Sequence, residues 1–424
     1  MLTLQLTFWI ACGLIVYSYV LYPVLLTAAA RWTRRSHTVF KEAGQQIRQD
    51  WPRVSLIIAA YKEQTLILQR IENALRMDYP PDRLEILIGV DGQEDLTGDL
   101  VRTVDDTRVK LHQFPQRRGK PSVLNDCVAA ATGELIAFSD ANTFWEPDSL
   151  KRLVRHLQNE QVGGACGQLI LTDSTTGQNV DGLYWRFENH LKRMEGKIGA
   201  LLGFNGAIYL IRSNLWQPIP PQTIVDDFYI GMKIYQHGKT LVFDESAVAN
   251  EETAPSIQAE FRRRTRIGAG GFQSLCWLVP LLSPRYGQVA WAFWSHKVLR
   301  WTCPLFMLVA FATNIPLAIN GPTIYSVLLA GQIAFYLLAI AARWLTGQGT
   351  SAKLLRLSSM FVDMNLALAI GFWRWLTHRQ KGTWTRTERS QEIHAARETV
   401  SQTRRPLSTS IPNAPRTQKL RKLN

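Results

Sequence analysis

Acidic residues recur where short apolar runs stop. Val90-Asp91-Gly92 closes the run Leu84–Val90, Ser139-Asp140-Ala141-Asn142 closes Glu134–Ser139, and Ala59-Ala60-Tyr61-Lys62-Glu63 closes Val54–Ala60. Farther along come Asp226-Asp227 and a basic run from Arg262 to Arg266. A carboxylate in such a place can take a proton or hold a cation, and equally it can cap a helix or sit in a tight turn. The loop Arg117-Arg118-Gly119-Lys120 could face phosphate or lie solvated. It lacks the upstream glycine and the Ser/Thr of a P-loop, and no GxGxxG follows the first run. The usual signatures of ATP hydrolysis and hydride transfer are therefore missing. Acids beside a basic loop suit a metal-bound nucleotide diphosphate, and oxygen ligands favour Mg²⁺ or Mn²⁺.

These residues need elements to position them. The apolar runs at Val54–Ala60, Leu84–Val90, Val109–Phe114 and Glu134–Ser139 alternate with helical spacings at Ile67, Ile71, Ala74, Leu75 and at Val123, Leu124, Cys127, Val128. Strand, helix, strand, helix predicts an α/β layer with a parallel sheet over residues 50–275. In such a sheet a ligand binds outside the carboxyl ends of the strands, where the acids stand.

The rest of the chain reads differently. No charged side chain precedes Arg31 and none lies between Arg300 and Arg343, gaps of membrane length. Residues 1–30 read as one spanning helix, with Arg31, Arg34, Arg35 and Lys41 after it rather than before it, unlike a cleaved signal peptide. Residues 298–343 read as a membrane hairpin turning at Asn320-Gly321-Pro322. Segment 276–297 is rich in tryptophan and broken by proline, as suits an interfacial helix region, and 354–376, with Asp363 and Asn365 inside it, reads as an interfacial amphipathic helix or a membrane helix. The positive-inside rule puts the N-terminus outside, with the 50–275 domain and the tail in the cytoplasm, at an inner or plasma membrane.

Of the net charge of +14, the stretch from Arg374 onward holds twelve Lys and Arg against three Glu, leaving +9 there. The basicity is thus mostly that of the stretch from Arg374 onward, whose part 385–424 has a composition that predicts disorder, and not of a folded nucleic-acid-binding face. Five cysteines without a CxxC and eight histidines without ligand spacing argue against a disulfide framework or a zinc site.

The ordered set Val54–Glu63, Val90-Asp91-Gly92, Gly119-Lys120 and Asp140-Ala141-Asn142 resembles the nucleotide-sugar-binding half of family 2 glycosyltransferases. Phe204-Asn205-Gly206-Ala207 resembles that family's glycine-containing acceptor stretch, and Val225-Asp226-Asp227 its Thr-Glu-Asp motif. Glu252-Thr253-Ala254-Pro255 and Arg263–Ile267 fall where the family has an acidic-proline motif and then Gln-x-x-Arg-Trp. The membrane layout is similar to the family's membrane-integrated synthases of cellulose, hyaluronan, chitin and poly-N-acetylglucosamine, and to its ceramide glucosyltransferases.

The resemblance implies a GT-A α/β domain with transmembrane and interfacial helices, and an inverting transfer from a UDP-sugar. It implies that Asp227 is the general base, with Asp226 the N-cap of a helix from about 228 to 237. The donor would be bound by Ala60, Glu63, Asp91, Lys120, Asp140 and Arg266, helped by Arg263 or Arg264, and the acceptor by Asn205 and Gly206. Asp140 and Asn142 would hold Mg²⁺ or Mn²⁺. Two departures stand out. Asn142 replaces the second acid of Asp-x-Asp, and Arg263 and Ile267 replace the Gln and Trp of processive enzymes. The expected acceptor is a growing exopolysaccharide or extracellular glycan in contact with the bilayer. Alternatives are a single lipid acceptor, or a membrane scaffold without chemistry. A nucleotidyltransferase would carry a glycine-rich loop after the first strand, which this chain lacks. No nucleic-acid partner is expected, and accessory subunits stay open.

Overall fold

The computed structural model of the chain describes residues 1–33, 50–172, 183–252, 257–342 and 350–383. The 385–424 tail, the Thr253–Pro255 motif, Arg34, Arg35 and Lys41 lie outside the described residues. Met1–Arg386 forms one compact unit.

Its centre is an eight-stranded sheet. The strands are β1 (Val54–Ala60), β2 (Leu84–Asp91), β3 (Val109–Phe114), β4 (Leu135–Asp140), β5 (Thr143–Trp145), β6 (Val162–Thr172), β7 (Tyr209–Arg212) and β8 (Thr240–Glu252). They lie in the order β3-β2-β1-β4-β7-β6-β8-β5. β3, β2, β1 and β4 are parallel. Every residue of β1 and β2 is buried, which is why both read as mostly apolar runs, with Ser55 and Glu85 the polar residues inside them: helices cover both faces. The parallel reading stops there, because β7 pairs antiparallel with both β4 and β6. The sheet is mixed.

The covering helices of the parallel half are α1 (Ile67–Leu75), α2 (Thr97–Arg102) and α3 (Lys120–Ala130). Then come α4 (Ser149–His156), α5 (Leu183–Lys197), α6 (Asp226–Tyr235) and α7 (Ile257–Trp277). Gly89 in β2 lets α3 close onto the sheet, since a Cβ there would stand 2.3 Å from Val123 Cγ1.

Among the described residues three helices are long and apolar enough to cross a membrane: Leu2–Trp32, Cys303–Asn320 and Thr323–Ala341. We label the first αN and the latter two α8 and α9, which flank the turn at Gly321-Pro322. The upper part of αN packs through Phe8 and Ala11 on Ala310, Leu317 and Tyr325. Its lower part joins the domain instead: Tyr22, Leu26 and Ala30 are buried in the core that holds Leu191, Met194 and Phe293.

The 276–297 stretch is also drawn into the domain. Leu278, Leu281, Val289, Ala292 and Phe293 are buried in that same core, while Val279 and Trp294 stay exposed. α10 (Thr350–Leu376) lies along α7 in close contact, and a Cβ on Gly371 would stand 2.7 Å from Thr265 O and 2.8 Å from Ala269 N. Phe272 and Phe372 meet edge to face at 4.9 Å between ring centroids.

Candidate active site

The loops after β1, β2 and β4, the loop before β7 and the starts of α3 and α6 meet at one end of the sheet. Asp91 is buried, and its two carboxylate oxygens accept the backbone N–H groups of Arg118 at 2.7 Å and Gly119 at 2.9 Å. The strand end thereby fixes the basic loop. Gly119 has φ +92°, a conformation that favours glycine, and α3 begins directly after it with Lys120. On the other side of this loop Arg117 lies over the Tyr61 ring at 3.8 Å, and the Tyr61 hydroxyl donates to Glu94 at 3.0 Å. Ala60 and Glu63 are buried beside them, with the Glu63 N–H donating to Thr97 Oγ1 at 2.9 Å.

Lys120 reaches across to the acids. Its ammonium donates to Asp140 Oδ1 at 2.7 Å and stands 3.3 Å from Asp226 Oδ2, an ion-pair distance without hydrogen-bond geometry. Burial opposes the charge on Lys120, but Asp140 and Asp226 outweigh it and hold its pKa above the ordinary lysine value. The lysine is thus an internal counter-ion between two carboxylates.

Asp227 is the neighbouring acid. Its Oδ1 accepts the N–H of Phe228 at 2.8 Å. Burial first, and then the charge of Asp226, raise its pKa, against the opposing pull of Lys120. A raised carboxylate pKa makes a better proton acceptor. Gly206 provides the space in front of it, since a Cβ there would be 3.0 Å from Asp227 Oδ2. Asn205 lies alongside, its Nδ2 at 3.5 Å from Gly167 O. α6 starts at Asp226, two residues earlier than the expected helix, and Val225 is its N-cap without a side-chain cap bond. Asp226 is therefore not the N-cap. It is one of the acids facing Lys120.

α7 brings the cations. Arg266 Nη1 donates to Ile224 O at 2.9 Å, and burial lowers its pKa against the pull of Asp226 and Asp227. For Arg263 the balance goes the other way: burial opposes its charge, but Glu251, Glu260, Asp140 and Asp227 raise its pKa. Arg264 pairs with Glu260 at 2.8 Å.

Three further residues in this region gave no signal in the sequence. Glu251 accepts a hydrogen bond from Asn142 Nδ2 at 3.0 Å. Tyr209, its ring stacked between Phe138 and Phe204, is buried, and its hydroxyl is without a hydrogen-bond partner. Burial and then the charges of Asp226, Asp227 and Asp140 raise its pKa well above the ordinary value. Arg70 is fully buried with Nε and Nη2 unpartnered, and burial lowers its pKa to about 9 against the pull of Asp140. The Tyr209 hydroxyl and the Arg70 guanidinium each offer a donor that an oxygen of a bound ligand can use.

The donor set at Asp140 and Asn142 is all oxygen, and the Asp140 side chain is 36% exposed, so the residues fit a hard divalent cation. Among the described residues no three His, Cys, Asp or Glu side chains cage an ion.

Residues 55–216 match the model of the family described as Glycosyl transferase family 2. Among curated proteins, a beta-monoglucosyldiacylglycerol synthase of Synechocystis sp. is 26% identical over 243 residues, 53% of this chain and 48% of the relative. A poly-beta-1,6-N-acetyl-D-glucosamine synthase of Staphylococcus epidermidis is 22% identical over 275 residues, 61% of this chain and 66% of the relative. The chain spans about half the length of the first curated relatives it matches. Among solved structures, a mannosyltransferase from Pyrobaculum calidifontis in complex with GDP-Man and Mn²⁺ superimposes with a TM-score of 0.61 at 22% identity, covering 84% of this chain and 98% of that one. The fold is GT-A.

Proposed function

Because the chain carries a family 2 glycosyltransferase domain over residues 55–216, we propose that it transfers a sugar from a nucleotide diphosphate donor to a hydroxyl acceptor at a membrane surface, with inversion. The observation that carries this reading is the convergence of Asp140, Asp226 and Asp227 on Lys120, with Arg263 and Arg266 facing the same acids.

The roles follow from charge and place. Ala60, Glu63 and Asp91 form the nucleoside side of the donor site, and Asp91 acts by holding the Arg118-Gly119 backbone. Lys120, Arg263 and Arg266 are the cations for the diphosphate, a guanidinium matching phosphate oxygens in pairs. Asp140 and Asn142 would hold Mg²⁺ or Mn²⁺, which when bound offsets the charge developing on the leaving nucleoside diphosphate. Asp227 takes the proton of the acceptor hydroxyl as its oxygen bonds to the anomeric carbon. The bond from that carbon to the phosphate oxygen breaks, and the electron pair leaves with the diphosphate. Asn205 and Gly206 bound the acceptor space beside Asp227.

For the acceptor we favour a lipid in the bilayer interface. α8 and α9 expose most of their surface, Leu305, Leu308, Ile319, Val327 and Leu337 among it, and so among the described residues they form a lipid-facing pair and not a pore wall. The acceptor named for the diacylglycerol relative is of this kind. Extension of a polymer is the second reading, and the polysaccharide relative favours it. In this reading αN, α8 and α9 cross the bilayer, the N-terminus is outside and the GT-A domain cytoplasmic.

Nucleotide release by the detergent-purified chain tests the proposal, with a panel of UDP- and GDP-sugars, Mg²⁺ or Mn²⁺, and diacylglycerol supplied in mixed micelles. Release with one donor and a product of one sugar per lipid is the expected result. A ladder of long products selects polymer extension, and no release with any donor sinks both.

A further inference from the structure

Asn142 stands where a second carboxylate would complete Asp-x-Asp, and its neighbour across the sheet is an acid. β5 and β8 run antiparallel with Thr143 opposite Glu251, and Asn142 sits in the turn that leads into β5. The contact is Asn142 Nδ2 to Glu251 Oε1 at 3.0 Å. An ionised carboxylate only accepts, so the amide nitrogen is fixed on the Glu251 side and the amide oxygen is turned away from it. The oxygen is the end of an asparagine that a hard cation takes, and the NH₂ end would repel it. Burial, and after it the charge of Asp140, raise the Glu251 pKa against the pull of Arg263, Asn142 and Lys120, so this carboxyl belongs to the same electrostatic cluster as the residues assigned to the diphosphate. The buried, unpartnered hydroxyl of Tyr209 and the guanidinium of Arg70, both within reach of the Asp140 charge, are separate signs that this cluster is built around an occupant.

Resting on the donor-site reading above, we infer that Glu251 is a positioning residue: through Asn142 it presents the amide oxygen to the cation of the nucleotide complex, and it supplies from β8 the negative charge that the asparagine lacks. The departure from Asp-x-Asp is then a relocation of charge to the adjacent strand.

Mn²⁺ uptake tests this without turnover. Free Mn²⁺ is followed by electron paramagnetic resonance as it is titrated into the purified chain, with UDP and GDP in parallel. The parent chain is expected to take up Mn²⁺ when one of the nucleotides is present. Glu251→Gln is expected to weaken that uptake about tenfold or more, the usual effect of losing a residue that orients a metal ligand. Its unfolding temperature and its nucleotide binding in chelator should match the parent. Asn142→Asp added to Glu251→Gln returns the charge one residue away and should restore most of the affinity. Glu251→Asp keeps the charge with a shorter reach and should fall between the two. Equal Mn²⁺ affinity in parent and Glu251→Gln, or a double variant no better than the single, overturns the inference and leaves the donor site standing. No nucleotide-dependent Mn²⁺ uptake by the parent overturns the donor-site reading and the inference together.

Discussion

Asp227 and Asp226 are adjacent in sequence, and the different tasks proposed for them are testable. Asp227→Asn keeps the shape and removes the proton acceptor, so turnover should fall by about 10²–10⁴ while nucleotide binding, measured by calorimetry, stays close to the parent. A matching loss of binding would mean a structural role. The pH profile separates the two acids further. Asp227 must be deprotonated to act, and its pKa is raised, so the acid limb of kcat/KM should lie above the ordinary aspartate value of about 3.9. Asp226→Asn removes the like charge that helps raise it, and the limb should move to lower pH. A limb that stays in place would show that Asp226 does not act on the base. Gly206→Ala puts a methyl 3.0 Å from Asp227 Oδ2, where the carboxylate has to give way by a few tenths of an ångström. Kinetics should then show kcat reduced more than donor affinity.

At the scale of elements, the cations of the site ride on α7, and α7 is held by α10. Gly371 approaches the α7 backbone at Thr265 and Ala269, the stretch that contains Arg266. Gly371→Val would force the helices apart at a cost of about 1–3 kcal/mol. It should lower the unfolding temperature and weaken nucleotide binding together, and unchanged nucleotide binding would mean that Arg266 does not contribute. How far such elements were legible follows from how local their causes are. β1, β2 and β4 could be read because strands buried on both faces are mostly apolar, and an acid at or soon after the end of each run stands out against them. Glu251 could not be read, because its value comes from a strand pairing that joins residues 143 and 251, and no local pattern announces that pairing. β5 is only three residues long, too short to show an alternation. Tyr209 reads as one more aromatic of a buried strand until its hydroxyl is placed among the acids. The lower half of αN looked like membrane because domain core and bilayer select the same side chains.

At the scale of the whole molecule, a buried polar network joins αN to the domain and to the segment that leads into α8. Tyr22 Oη donates to Glu195 at 2.9 Å, His296 Nδ1 lies 2.6 Å from the same carboxylate, and Arg300 pairs with Glu188 at 2.5 Å. Burial acts to raise the pKa of Glu188, but Arg300 and then His296 prevail and hold its carboxyl well below the ordinary range. A depressed pKa gives stability that is complete above the unfolded-state value and is lost as pH falls through the folded-state one. Glu188→Gln should therefore destabilise the chain near neutral pH by about 3–5 kcal/mol, the cost of leaving a buried partner charge alone, and by less in acid. Thermal unfolding in detergent across pH checks this, and a constant difference between the two chains would assign the effect to packing.

αN has 31 residues, a rise of about 46 Å at 1.5 Å per residue, against a hydrocarbon layer of about 30 Å. The excess does not hang free, since Tyr22, Leu26 and Ala30 are seated in the domain core. In a bilayer such a helix is a mast stepped into the hull and not a tether. On the proposed function, the height of Asp227 above the lipid would then be a constant of the fold, and acceptors would be sorted by how far their hydroxyl stands from the membrane plane before any contact with the pocket is made.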